Sequence, residues 1–385
     1  VTIIAGCANG GIENGNVKIN VEDGNVTTLV GGNQGFGNQE AAFSGKTEIN
    51  ISGGTVKDLY AAGSGRGQSI PTYSGSITIN MKNGKVDNIY GAGSAAYVIS
   101  PDSVNSSSIH INMQGGTVTN IFAAGKGGDA AVTSAADHKV KPSTFGSLTG
   151  DVEILLGGDA AVTNIYASGE GFYKDGYTYD TTENAYLDGN VTITLEGNAK
   201  VKDSVYGGGK GIDKEGYAAC ARVESTSVVK LFVKGNATIA GNVYGGGENA
   251  GMEGNTYISL SENGCIKGNL YGGGKNGLVK GRAVVEIGGG IVEGSVYGGA
   301  LGVTGQKLVY GGSAINMSGG WIKGNLYGGS ELSDDGPEEG EPLDLIFVNL
   351  AGGTVSGNVF GGGYRGTVNG STHLHIGLHA PDAFE

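Results

Sequence analysis

The chain has 385 residues with a formal charge of −13, and 78 of them are glycine, about three times the usual share. With 38% hydrophobic and 16% charged residues and only 6 prolines, the composition excludes a highly charged disordered chain and collagen. The acidic balance argues against nucleic acid as a partner, and no apolar run reaches the roughly 18 residues of a membrane helix. The 3 cysteines lie far apart, which argues against a disulfide framework or a zinc site.

One short pattern recurs along the whole chain. It reads as an alternating apolar strand, a small-residue turn, a Val or Ile, and an aliphatic–aromatic pair followed by Gly or Ala, as in Ile49–Gly63. We call the residue in the aromatic slot the anchor of each repeat. In chain order the anchors are Ile4, Val30, Tyr60, Tyr90, Phe122, Tyr166, Tyr206, Tyr244, Tyr271, Tyr297, Tyr327 and Phe360.

The shortest repeats decide the fold class. Their apolar residues alternate with a period of two, as in Ile77-Thr78-Ile79-Asn80-Met81, which is typical of a strand and not of a helix. A unit of 26 residues cannot bury its apolar side alone, so the copies must stack on one another. We therefore predict an all-β fold: a single right-handed parallel β-helix (β-solenoid) of about twelve coils over residues 1–385. The handedness follows the general preference of parallel crossovers. We expect the chain to be a fragment of a longer protein.

Two variations along the repeats bear on the shape of the coil. The Val and the anchor lie four apart in the earlier copies, as in Val86 and Tyr90, and five apart from Val201 onward. An added residue predicts a bulge or a changed turn near residues 170–200. A row of asparagines lies between apolar neighbours: Asn20, Asn50, Asn80, Asn112, Asn316 and Asn349. We interpret the row as a ladder that stabilises the strands, and the alternative is a polar recognition stripe.

The anchor aromatics allow two arrangements. Leu59 and Tyr60 are neighbours on a strand, so alternation turns one toward the core and the other away from it. If Leu59 faces the core, the rod carries an exposed ladder of rings. If Tyr60 faces the core, the rings form a buried column. We favour the buried column, because soluble proteins seldom leave so long an apolar stripe exposed.

The longest repeats are consecutive and predict three loops within residues 123–230. Extra segments fall at residues 126–149, 170–189 and 210–226, each after the same Gly corner, so we expect the three loops to lie side by side. Aromatic rings with acids between them are typical of sugar-binding surfaces, and the alternative is that the rings pack on the flank of the rod. The ligand-binding candidates are Phe172, Tyr173, Asp175, Tyr177, Tyr179, Asp180 and Tyr186.

Catalysis and cofactor binding find little support in the sequence. A β-helix enzyme acting on polysaccharide needs paired carboxylates, or carboxylates that hold calcium beside a basic residue. The acids of the loop-bearing coils share no slot in neighbouring repeats, so we predict no enzyme, no catalytic residues, no metal site and no cofactor. The acidic stretch Asp334–Glu341 is interpreted as a solvated insertion.

The Gly-rich phrase resembles a known class of repeat. Gly241-Asn242-Val243-Tyr244-Gly245-Gly246-Gly247, and the similar text from Gly352 to Gly363, resemble the repeats of bacterial cell-surface adhesin-like proteins, whose shape is similar to the pectate-lyase-like parallel β-helix. The resemblance implies an extracellular stalk at a cell surface that presents weak, multivalent contacts to glycans or to a protein on a host or neighbouring cell. The alternatives are a carbohydrate-active lyase or hydrolase and a purely structural spacer.

Overall fold

A computed structural model describes residues 1–37, 41–67, 71–94, 97–99, 107–127, 139–140, 146–173, 178–179, 184–214, 220–224, 227–337 and 343–377. Within these ranges the regular structure is β-strand without helix, and the strands of the two main sheets pair in parallel.

The first main sheet carries the anchors, and we call it the anchor sheet. Its strands are Thr2–Ile4, Asn25–Val30, Thr55–Tyr60, Lys85–Tyr90, Thr117–Phe122, Ala161–Tyr166, Lys200–Val201, Val205–Tyr206, Thr238–Ile239, Val243–Tyr244, Cys265–Ile266, Leu270–Tyr271, Ile291–Val292, Val296–Tyr297, Trp321–Ile322, Leu326–Tyr327, Thr354–Val355 and Val359–Phe360.

The second sheet is built from the alternating segments that precede each anchor strand. Its strands are Ile12–Val21, Ala42–Ile51, Thr72–Met81, Tyr97–Ile99, Ser107–Met113, Leu148–Thr149, Asp151–Leu156, Leu187–Asp188, Val191–Leu195, Val228–Val233, Asn255–Leu260, Ala283–Ile287, Ser313–Met317, Leu343–Leu350 and Gly370–Ile376. Three short pairs complete the described strands: Gln34–Gly37 with Ser64–Gly67, Lys139–Val140 with Thr178–Tyr179, and Lys307–Val309 with Asp334–Asp335.

The anchors form one uninterrupted row across the anchor sheet. Each anchor pairs with the anchor of the next repeat, from Ile4 with Val30 to Tyr327 with Phe360. We call each anchor with its strand a rung, and number the rungs from the one that contains Ile4. The parallel β-solenoid that the repeats predict is thereby confirmed, and its right-handed sense stays a prediction.

Both sheets contribute to one hydrophobic core. Ile49 and Ile51 of the second sheet are buried and Asn50 between them is not, while Val56 and Leu59 enter the same core from the anchor sheet. Burial of apolar surface is the main force that drives folding, and one rung offers too little of it to fold alone. The core therefore exists only because the rungs are stacked.

The anchor rings form a second, separate buried cluster. From Tyr60 to Phe360 neighbouring rings stack with centroids 4.8 to 5.1 Å apart, and Tyr60 to Tyr327 are all at most 9% exposed. Leu59 beside Tyr60 is also buried, in the main core. The predicted buried column is thus confirmed, but the expectation that only one of the two neighbours would be buried is wrong. The hydroxyls of Tyr90, Tyr166 and Tyr271 donate to the carboxylates of Glu170, Glu248 and Glu331, which follow the anchors two rungs later.

The predicted change of turn occurs where the repeats lengthen. Strands in the rungs from Asn25 to Tyr166 have 6 residues, and later ones split in two, as Lys200–Val201 and Val205–Tyr206. Val162 pairs with Val201 and Ile165 with Val205, so the later rung has one more residue between the same positions.

Side chains replace the ladder bonds that the split removes. Asn269 donates its backbone N–H to Asn242 Oδ1 at 2.8 Å, and its own Oδ1 accepts the N–H of Ser295 at 2.8 Å. Its amide nitrogen also donates to the Tyr271 hydroxyl at 2.9 Å. This row of Asn and Ser satisfies backbone groups that a bulge would otherwise leave without a partner. On the second sheet, Asn50 donates to Asn20 at 3.1 Å, which supports the stabilising role predicted for that row.

Asp335 contradicts the interpretation of its stretch as a solvated insertion. It is 2% exposed and lies in a buried row of the stack whose neighbouring members are Val309 and Val368. The Ser330 amide and hydroxyl donate to its carboxylate at 2.7 and 2.5 Å. Burial raises the pKa of Asp335 to about 6, although the Ser330 hydrogen bonds lower it. The position of Asp335 in the repeat, and not the charge of its sequence neighbours, therefore determines its burial. The rest of the acidic stretch, at residues 338–341, lies outside the described ranges.

Candidate functional site

The bases of the three long segments lie at adjoining positions on neighbouring rungs. Lys126 and Glu170, where the first two begin, form a parallel bridge, and Asn184 and Cys220 bridge near the ends of the second and third. The strand Lys139–Val140 of the first segment pairs with Thr178–Tyr179 of the second. A rigid stack therefore holds these segments together, as expected for loops inserted at one corner.

The seven candidate residues divide by how far the structure describes them. Phe172, Tyr173 and Tyr186 are described and half-buried. The backbone of Tyr179 is described as part of a strand, but its side chain is not. Asp175, Tyr177 and Asp180 lie outside the described residues. Their part in a binding surface stays a prediction.

Tyr173 contacts the third segment. The Lys214 ammonium lies over its ring, 3.6 Å from the centroid, and also contacts the Tyr173 hydroxyl. A cation over an aromatic face is attracted by the ring quadrupole. This contact joins the second segment to the third and covers part of the ring, as in the alternative in which the rings pack on the scaffold.

Asn184 fixes the base of the second segment. Its Oδ1 accepts the backbone N–H of Phe172 at 2.8 Å, and its amide nitrogen donates to the Phe172 carbonyl at 3.3 Å and to Cys220 Sγ at 3.3 Å. Burial raises the pKa of Cys220 to about 12, so its thiol stays protonated at neutral pH. The two ends of this segment are thus held together before any ligand arrives.

A row of mostly polar side chains runs beneath the loop bases and covers the ring column. These residues lie four positions after each anchor, and we call them the cover row. Its members are Ser64, Ser94, Lys126, Glu170, Lys210, Glu248, Lys275, Leu301, Glu331 and Tyr364. From Lys126 to Lys275 the charges alternate in sign from one rung to the next.

Glu170 of the cover row pairs with a lysine of the next rung and with the hydroxyl of an anchor tyrosine. Its carboxylate lies 2.8 Å from the Lys210 ammonium and accepts the Tyr90 hydroxyl at 2.7 Å. Burial opposes ionisation of Glu170, but Lys210 and Tyr90 outweigh it and hold the pKa of the carboxyl below its ordinary value. Burial and the nearby charge of Glu170 raise the pKa of Tyr90. Glu248 repeats the arrangement, with Lys275 at 3.0 Å and the Tyr166 hydroxyl at 3.2 Å.

Two nearby carboxylates, Asp151 and Glu224, have partners in the scaffold. Asp151 accepts the backbone N–H of Asn190 at 2.8 Å, and Glu224 lies 2.7 Å from Arg222. Within the described ranges, no three His, Cys, Asp or Glu side chains are gathered in a way that could hold a metal ion. The same ranges contain no helix with the length and apolar character needed to cross a membrane.

Glu170, Lys210 and Asn184 were not predicted from the sequence as functional residues. A signal was available for the first two, because charges of alternating sign follow successive anchors at a fixed offset of four residues. Asn184 gave no such signal, since its partners come from a segment of unique sequence.

The comparisons with known proteins give no family. The chain matches no protein-family model, and searches of curated proteins and of solved structures find no significant match.

Proposed function

We propose that this protein is an extracellular, adhesin-like stalk that presents a loop cluster to glycans or to a protein on a host or neighbouring cell surface. The loop cluster consists of the three long segments at residues 126–149, 170–189 and 210–226. The observation that carries the proposal is the grouping of three long segments on consecutive rungs of a rod, with their bases bridged. A regular stack holds its loops at a constant position, and many copies on one surface would strengthen individually weak contacts.

The chemistry of the cluster favours a saccharide. Phe172, Tyr173 and Tyr186 supply ring faces, and the acids Asp175 and Asp180 supply acceptors for hydroxyl groups. The buried anchor column cannot serve as this platform, because its rings are stacked and covered. Surface binding by the rod therefore depends on residues outside that column.

A purely structural spacer is the second candidate, and the Lys214–Tyr173 contact favours it. A ring engaged by the Lys214 ammonium of the third segment has less surface left for a ligand. In this case the aromatic residues of the second segment close the flank of the rod.

A glycan array tests the proposal. We expect the wild type to bind one class of glycan, and the variant Tyr173→Ala/Tyr177→Ala/Tyr179→Ala to lose at least tenfold in apparent affinity, because stacking is removed. The control is Tyr257→Ala, which removes a half-buried ring from the second sheet, outside the loop segments. Absence of binding by the wild type supports the spacer, and equal binding by wild type and loop variant rules out the loop cluster as the binding surface.

A further inference from the structure

A groove crosses the second sheet at rungs two to four, outside the loop cluster. Its cavity has a volume of about 400 Å³ and is lined by Asn16, Val17, Lys18, Lys46, Thr47, Glu48, Ser76 and Thr78. The outer side chains form two rows, Asn16–Lys46–Ser76 and Lys18–Glu48–Thr78, with Val17 and Thr47 between them.

The glycine row beside the groove is required by the backbone. Gly15, Gly45 and Gly75 pair with one another, and Gly45 and Gly75 have φ of +138° and +146°. A Cβ built at Gly45 would lie 1.8 Å from the Gly15 carbonyl oxygen, and one at Gly75 equally close to the Gly45 oxygen. Such glycines mark a bend in a strand. The bend recurs on consecutive rungs, one residue before the row Asn16–Lys46–Ser76 that lines the groove.

The net charge of the groove is opposite in sign to the net charge of the whole chain. Lys18 and Glu48 form an ion pair at 2.9 Å, and hydrogen bonds from Asn50 and Lys18 hold the pKa of Glu48 below its ordinary value. Lys46 is exposed and has no ion pair among the described residues. The lining therefore carries one net positive charge, on a chain with a net charge of −13. A localised cation in an acidic protein selects a ligand that brings its own negative charge.

The hydrogen-bonding groups of the lining suit a polyhydroxylated ligand. The Asn16 amide and the hydroxyls of Ser76 and Thr78 both donate and accept hydrogen bonds, and the Glu48 carboxylate accepts them. The volume lies within the range of small-molecule sites. We propose that this groove binds an anionic saccharide, with the carboxylate or sulfate at Lys46 and the ring hydroxyls between the two rows.

Isothermal titration of the full chain with acidic oligosaccharides tests this site. The probes are a trigalacturonate, which is carboxylated, a sulfated heparin disaccharide, and a neutral cellotriose as the uncharged reference. We expect at least one acidic probe to bind tenfold or more tightly than cellotriose, and its affinity to fall with added salt. Whichever acidic probe binds more tightly identifies the anionic group.

Two matched lysine variants locate the binding. Lys46→Ala should weaken binding at least tenfold, whereas Lys230→Ala, an exposed lysine on the outer face of the same sheet, should leave it unchanged. Lys46→Arg should retain most of the affinity because it keeps the charge. The loop variant Tyr173→Ala/Tyr177→Ala/Tyr179→Ala should bind like the wild type, which separates this site from the loop cluster.

Three results would overturn the assignment. They are a wild type that binds neither acidic probe better than cellotriose, a Lys46→Ala variant with wild-type affinity, and equal losses in Lys46→Ala and Lys230→Ala. The last would indicate general attraction to surface lysines. Circular dichroism of each variant shows whether its fold is retained.

Discussion

At the scale of single residues, the row that a side chain occupies determines its environment. Asp335 is buried because its row in the stack faces the interior, although its neighbours in sequence are acidic and polar. The hydrophobic alternation of the strands could be predicted from the sequence, since residues such as Ile77 and Ile79 repeat with period two. The burial of Asp335 could not, because it depends on which residues of a long repeat pair with Val309 and Val368.

Asp335→Asn should stabilise the protein at neutral pH. The folded chain keeps the Asp335 proton up to about pH 6, whereas an unfolded chain loses it near 3.8, so the free energy of unfolding falls as pH rises through that window. Such a rise in pKa corresponds to a loss of at most roughly 3 kcal/mol in the free energy of unfolding. Ser330 and the Asp334 carboxylate are the polar and charged groups acting on Asp335, and the side-chain amide introduced by Asp335→Asn would keep an acceptor for the Ser330 N–H.

Urea unfolding at pH 5 and pH 8 measures this effect. The gain in midpoint of Asp335→Asn over the wild type should be larger at pH 8. Asp58→Asn provides the control, because it makes the same chemical change at a half-buried position on a distant rung, away from Asp335. Equal gains at both pH values for Asp335→Asn would show that the buried carboxyl does not control the pH dependence.

At the scale of elements, side chains maintain the ladder where the backbone cannot. The sequence predicted an added residue in the later rungs, from the five-residue spacing of Val201 and Tyr206, but not how its backbone groups would be satisfied. Asn242 and Asn269 do so by accepting the N–H of the following rung. The loop cluster was less predictable, because contacts such as Lys214 on Tyr173 join segments of unique sequence that follow no period.

Replacement of Asn269 tests the row of Asn and Ser side chains that accept backbone N–H groups in the split rungs. Asn269→Ala removes the acceptor of the Ser295 N–H and the donor to Tyr271, and should lower the free energy of unfolding by about 1–3 kcal/mol. Asn269→Ser should recover part of the loss, since Ser204 already accepts the N–H of Asn242 in the same row. Thermal unfolding followed by circular dichroism gives both values. Equal stability of Asn269→Ala and wild type would contradict the role assigned to the row.

At the scale of the whole molecule, stacking gives the short repeats an interior. Every anchor pairs with the next although the repeats differ in length by up to 18 residues, so length differences are absorbed in loops and leave the register intact. The sequence could predict this architecture because the same pattern recurs at each rung. The groove at Lys46 was not predicted, because it is formed jointly by side chains on three rungs.

Electron–electron distances between spin labels test the parallel stack most directly. Lys57, Lys202 and Lys323 are exposed and lie one residue after Val56, Val201 and Ile322 in the same row, on rungs three, seven and eleven. After replacement of the native cysteines, labels at 57 and 202 should lie about 19 Å apart and labels at 57 and 323 about 38 Å apart, at roughly 4.8 Å per rung. Narrow distributions near these values would agree with the stack. A second distance that is not close to twice the first would contradict it.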